Sequence, residues 1–212
     1  MLIEFWAPFL ALTFCIVIFE ARYHMLRDLS NSSRKPFSWA RVQLAWWSVI
    51  ILSSFIAILW VHGSAPDLNQ DTLILLGISA TTIATARVID VNEETSETVT
   101  RNQDEGGQNF FLDILSDANG VSIHRFQTIV FNLAFGCWYL GYVLKHMDAS
   151  ATNKTVAELG RILPELGQNN LILLGLSAAT YVALKTTENK SVKPASDEAD
   201  TVTDENPFPQ MG

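Results

Sequence analysis

"LILLGISATT" runs from Leu73 to Thr82, and "LILLGLSAAT", Leu171 to Thr180, repeats it with eight of ten positions identical. Each copy lies in an uncharged run, bounded by Asp71 and Arg87 in the first case and by Glu165 and Lys185 in the second. Whether such runs are buried helices of a soluble protein or bilayer spans decides the fold. A helix at the surface of a soluble core keeps a polar face toward water, and these runs have none.

Their lengths favour the bilayer. Twenty residues separate Arg41 from His62, nineteen separate Arg125 from Lys145, and nineteen separate Glu165 from Lys185. About 17–25 residues cross a membrane, so these three qualify directly. Fifteen residues lie between Asp71 and Arg87, and fifteen make up the N-terminal run Phe5 to Phe19. These two span if Glu4, Asp71 and Arg87 sit among headgroups, with Arg87 snorkelling. Charged residues make up 17% of the chain, against roughly 25% in ordinary soluble domains. The expected fold is an all-α integral membrane protein with five transmembrane helices. The first run lacks a basic leader and an A-x-A site before "EARYHML", so it reads as a retained helix.

The similarity continues outward from the two quoted copies. "SWARVQ" (Ser38–Gln43) and "SIHRFQ" (Ser122–Gln127) share S-x-x-R-x-Q, and "DLSN" (28–31) and "ILSD" (114–117) precede them. His62 and His146 each stand twenty-four residues after the serine. The expected architecture is one N-terminal helix (1–21) followed by two helical hairpins, 28–91 and 113–186. Both hairpins start on the same side, so the repeats are parallel, unlike the inverted repeats of many transporters. An acidic cytoplasmic loop, 92–112, joins them. The second hairpin carries fourteen extra residues, whose spacing predicts an amphipathic segment over 155–168 on the outer surface. "NFFLDILSD" reads as a cytoplasmic interfacial stretch and "SDANG" as a turn. The acidic tail 187–212 lacks apolar periodicity and is expected to be disordered.

Eleven of the fourteen basic residues fall, with their margins, on one side of these spans and three on the other. The positive-inside rule then places the N-terminus outside and the C-terminus in the cytoplasm. A net charge of −8 argues against nucleic-acid binding.

Two sets of residues recur in both copies. Gly77, Thr81 and Thr85 fall at i, i+4 and i+8, as do Gly175, Ala179 and Ala183. Small residues at that spacing let helix backbones approach, so they predict a helix-packing or oligomerisation surface. Ser38 and Ser122 stand at N-cap positions. Arg41 and Arg125 follow, where the helix dipole disfavours a cation. Three readings remain open for them: lipid headgroups, pairing with Asp90, Asp113 or Asp117, or a cytoplasmic ligand. Gln43 and Gln127, deeper in, are expected to bond neighbouring helices. The histidines would suit a metal or pH-sensing pair, but no ligand-spaced carboxylate or cysteine accompanies them, so interfacial positions are expected. Several of the six tryptophans fit an aromatic belt. Cys15 and Cys137 read as packing residues.

No Asp, Glu, Lys or Arg lies near the middle of a run, which argues against a proton relay or ion-coupled pump. P-loop, H-E-x-x-H, nucleophile-elbow and Cys/His patterns are missing. Neither enzyme activity, cofactor nor metal is expected. "FFLDILSDANGVSIHRFQ" followed by "LILLGLSAATY" resembles a group of small bacterial inner-membrane proteins with D-x-x-S-D-x-x-G-x-S-x-x-R-x-Q and L-x-G-x-S-x-x-T-Y elements. That resemblance covers mainly 110–184 and implies an inner-membrane location. Two function classes follow. One is a homo-oligomer whose Ser/Thr-bearing helices line a passage for ions or small solutes. The other is a membrane anchor, scaffold or sensor subunit that docks a soluble cytoplasmic partner through its acidic segments.

Overall fold

A computed structural model describes residues 2–28, 30, 32–94, 106–117, 120–147 and 155–188. Most of them are helical. The elements are α1 (Leu2–Tyr23), α2 (Trp39–His62), α3 (Gln70–Glu94), α4 (Phe110–Leu115), β1 (Ser116–Asp117), β2 (Gly120–Val121), α5 (Ile123–His146), α6 (Val156–Gly160) and α7 (Gln168–Glu188). Thr187 and Glu188, the first two residues of the expected tail, close α7, and the rest of the tail lies outside the described residues, as does most of the acidic loop.

Four helices, α1, α2, α3 and α5, are long and apolar enough to cross a membrane. The apolar stretch of α7 is shorter: Leu171 to Leu184 lies between Asn169–Asn170 and Lys185. The outward faces match a hydrocarbon environment. Leu10, Phe14, Val17, Leu52, Trp60, Leu133, Ile172 and Leu176 are all exposed, an apolar surface far more extensive than soluble monomers tolerate.

Contacts fix the helix directions. Phe5, near the start of α1, shares a buried cluster with Ile58 near the end of α2, so these two run antiparallel. Trp39 and Ala40 at the start of α2 cluster with Ala86 near the end of α3 and Tyr181 in α7, so α2 and α3 also oppose each other. Arg125 at the start of α5 lies over the Tyr181 ring, which sets α5 against α7. The two copies of the quoted stretch thus fall on α3 and α7, packed side by side and running the same way.

The two ends of the bundle differ. At the end where α1 finishes and α2 starts, Glu20 ties the connection together. Its Oε1 pairs with Arg27 Nε at 2.6 Å and its Oε2 accepts from Leu26 N–H at 2.8 Å. Phe37 N–H and Gln108 N–H both donate to the Asp113 carboxylate, so the short α4 is pinned beside the entry to α2. Behind it, Ser116 pairs with Val121 and Asp117 with Gly120 in a two-residue ladder. Gly120 has φ 100°, which L-residues with a Cβ rarely adopt, as the turn reading of "SDANG" requires.

At the opposite end lies the segment after α5. Only Val156–Gly160 is helical, opened by a Thr155–Glu158 capping box. Leu159, Ile162, Leu163 and Leu166 are buried in the main core, so the apolar side of the segment covers the bundle end. The physical reason is local. Asn69 Nδ2 donates to the carbonyls of Leu163 and Pro164 at 3.2 and 3.1 Å, and Gly167 N–H donates to Asp71 Oδ2 at 3.0 Å. A Cβ at Gly160 would stand 3.0 Å from the Asp67 carbonyl oxygen, so the close approach of the two loops favours glycine there.

Candidate functional site

The two small-residue stripes meet. Gly77, Thr81 and Thr85 of α3 and Gly175, Ala179 and Ala183 of α7 line one open groove of about 610 Å³. Ile74, Ile78 and Val182 add apolar walls. The direct α3–α7 contact lies deeper, where Leu75, Ala86, Leu174, Ala178 and Tyr181 are buried. The groove therefore runs along the outward side of that seam. A Cβ at Gly77 would meet nothing within 4 Å, and one at Gly175 would make only an ordinary 3.6 Å contact with Ile78 Cδ1. Packing within the chain thus does not require glycine at either position. The threonine hydroxyls bond their own helix, Thr82 to Ile78 O at 2.8 Å and Thr85 to Thr81 O at 2.9 Å. This satisfies their donors without a partner helix, as hydrocarbon surroundings demand.

The paired Ser, Arg and Gln residues occupy unequal environments. Ser38 and Ser122 are both N-caps with extended backbone, but neither hydroxyl makes a capping bond. Arg41 Nη1 donates to Met25 O at 3.1 Å, whereas Arg125 stacks over Tyr181 at 5.4 Å. Of the three carboxylates weighed as partners, Asp113 is engaged by backbone N–H groups and Asp90 lines a cavity together with Arg41. Gln43 is 1% exposed and its Oε1 has no hydrogen-bond partner, while Gln127 is exposed. The expected interhelical bonds of these glutamines are therefore not formed among the described residues.

Other polar residues do form that link. Asn132, fully buried in α5, accepts from Trp47 Nε1 through Oδ1 at 2.8 Å, and its carbonyl accepts from Trp46 Nε1 at 3.2 Å. Its Nδ2 donates to Thr128 O at 2.8 Å, and Ser177 of α7 donates to Thr128 Oγ1 at 2.7 Å. One ladder thus joins α2, α5 and α7 inside the apolar layer. Tyr139 and Thr72 add a 3.3 Å hydroxyl pair between α5 and α3. Trp46 and Trp47 consequently serve the interior instead of an interfacial belt, whereas Trp6, Trp60 and Trp138 are exposed. The signal available in the sequence was Asn132 itself, an amide in an uncharged span, which hydrocarbon tolerates only with partners.

His146 is held within its own helix, Nδ1 at 2.8 Å from Tyr142 O and its ring stacked on Tyr142 at 3.9 Å. His62 closes α2 before Gly63. Among the described residues no group of three or more His, Cys, Asp or Glu side chains gathers to hold a metal. Cys15 and Cys137 are exposed, so they face the surroundings instead of packing inside. Comparison of the chain with protein-family models, with curated proteins and with solved structures returns no match.

Proposed function

We propose that the chain is a five-span inner-membrane protein whose subunits associate through the α3–α7 groove and line a passage for ions or small solutes. In this reading α7 is the fifth span, and α2–α3 and α5–α7 are two parallel hairpins of one duplicated unit. The N-terminus lies outside and the C-terminus in the cytoplasm. The observation that carries the proposal is the groove. Six small residues from the two stretches line one open outward groove, and the chain's own packing does not need glycine at 77 or 175. Helices associate in lipid through such surfaces, where close backbone approach replaces a hydrophobic driving force. No charged residue lies near the middle of a span, and the lack of a coupling charge suits passive passage better than pumping.

Native mass measurement in detergent tests association, and planar-bilayer recording of the purified protein tests passage. Wild type is expected to be oligomeric and conducting. A Cβ at Gly77 meets no atom within 4 Å and Gly77 lines the open groove, so Gly77→Leu should leave the monomer folded and abolish association. An oligomeric Gly77→Leu variant refutes the groove as the interface. Absence of conductance, together with a soluble protein co-purifying through the acidic segments, favours the anchor or scaffold reading instead.

A further inference from the structure

Trp39 and Gln43 both lie on the buried side of α2, 4% and 1% exposed. The Trp39 indole Nε1 and the Gln43 amide Oε1 are buried atoms, and among the described residues neither has a hydrogen-bond partner. The indole nitrogen can only donate, and the amide oxygen can only accept. Buried polar atoms are almost always paired, with protein groups or with ordered water. Two orphans of opposite kind on one helix therefore point to one shared partner.

The helix sets their relative position. Residues four apart stand on one face, one turn above the other, and Trp39, Gln43 and Trp47 form such a row, all three buried. A long helical side chain leans back over the turn before it, which carries the Gln43 amide toward Trp39. One turn rises about 5.4 Å, and two hydrogen bonds in series through one oxygen reach about 5–6 Å. The two atoms do not bond each other, but a single bridging oxygen fits that span. It must accept from the indole N–H and donate to the amide carbonyl. A cation is repelled by the N–H and an anion by the carbonyl oxygen, whereas water performs both tasks. We propose that Trp39 and Gln43 bind one ordered water molecule inside the bundle. Such a bridge is nearly as favourable as a direct bond. It extends the ladder of Trp47, Asn132, Thr128 and Ser177 toward the bundle end where α2 starts. The second copy has no counterpart, because Ile123 and Gln127 hold the matching positions and both are exposed. The site is internal to one subunit and goes beyond the association reading.

The test is solution NMR of the full chain in micelles of deuterated detergent, with the tryptophan indole nitrogens isotopically labelled. Trp39→Phe removes one indole resonance and so assigns it. Selective excitation of water should give the Trp39 indole proton Overhauser peaks of opposite sign in the laboratory and rotating frames. That sign change marks a held water as distinct from proton exchange. Trp47, whose N–H is taken by Asn132 Oδ1, should show no such peak. Gln43→Met keeps the side-chain length without the carbonyl and should abolish the Trp39 peak. No peak at Trp39 in wild type, with the exposed Ala65 backbone N–H still contacting water, overturns the proposal. A peak that persists in Gln43→Met overturns it as well, because the water then does not need the amide. Peaks of exchange sign alone identify a site open to solvent and refute it equally. If Gln43→Met fails to fold, the wild-type contrast between Trp39 and Trp47 decides.

Discussion

Gly136→Ala should destabilise the bundle, although alanine is the better helix former. Gly136 lies on α5 beneath the Trp46 indole, and a Cβ there would stand 2.5 Å from Nε1, 2.6 Å from Cζ2 and 2.7 Å from Cε2. Comfortable separations begin near 3.5 Å, so the overlap is about 1 Å. The indole is rigid and must move as a body. Its Nε1 bond to Asn132 O is already 3.2 Å long, at the upper edge of normal N–H···O geometry, so that displacement breaks it. Overpacking costs about 1–3 kcal/mol, and an interhelical bond in lipid adds about 0.6, at most about 1.7 kcal/mol. The propensity gain of alanine over glycine offsets about 1 kcal/mol. A net loss of about 1–3 kcal/mol follows. The assay is reversible unfolding in mixed micelles, with Gly141→Ala as control because nothing lies within 4 Å of a Cβ there. The control should be neutral or slightly stabilised. If Gly136→Ala unfolds no more easily than Gly141→Ala, the packing argument fails. A Trp46→Ala background should also absorb most of the penalty, and strict additivity of the two changes would equally sink it.

Asn132→Ala leaves the Trp47 indole N–H buried without its acceptor; a loss of about 1–3 kcal/mol is expected in the same unfolding assay, and wild-type stability would show the ladder to be incidental. Tyr139→Phe removes one long hydroxyl contact to Thr72, so a change no larger than about 0.6 kcal/mol is expected; a larger one would mean that the pair holds more than a single bond. Asn69→Ala deletes the side chain that accepts from Thr72 N–H and donates to Leu163 and Pro164, costing about 0.5–2 kcal/mol as a cap. Its effect should localise, seen as faster proteolysis within 155–167 while the helices stay protected, and unchanged cleavage there argues against the tether.

The parts of the fold legible in the sequence are those that hydrophobicity alone dictates. Uncharged runs between Arg41 and His62 or Arg125 and Lys145 leave few options in water, and both became helices apolar enough to span a membrane. The two small-residue stripes visible in the sequence line one groove. What pattern reading missed depends on partners far apart in the chain. Trp47 and Asn132 are 85 residues apart, and no local spacing announces that an indole will meet an amide. The placement of segment 155–168 has a related origin. Its apolar spacing is equally compatible with a lipid surface and a protein surface, and the choice falls to the Asn69 and Asp71 bonds from another loop. Gln43 and Gln127 show the limit of reasoning from repetition, since matched sequence gave one buried and one exposed amide.

Aligning the copies at Ser38 and Ser122 makes that asymmetry physical. Trp46 and Trp47 correspond to Val130 and Phe131, Ser48 to Asn132, and Leu52 to Gly136. The first copy supplies two bulky donors, and the second supplies the acceptor and the vacant slot that receives them. Neither copy could take the other's place, because two tryptophan-bearing helices would collide and two glycine-bearing helices would leave a gap. The contact between α2 and α5 is therefore made of unlike, complementary halves. The groove stripes are matched in part: glycine stands at 77 and 175 although neither is required by neighbours within the chain, whereas Thr81 and Thr85 correspond to Ala179 and Ala183. Glycine at both positions on the open side of the seam, unneeded within the chain, is what a surface shared with a second subunit would use. Self-association through the α3–α7 groove is accordingly the first measurement on which the proposed function stands or falls.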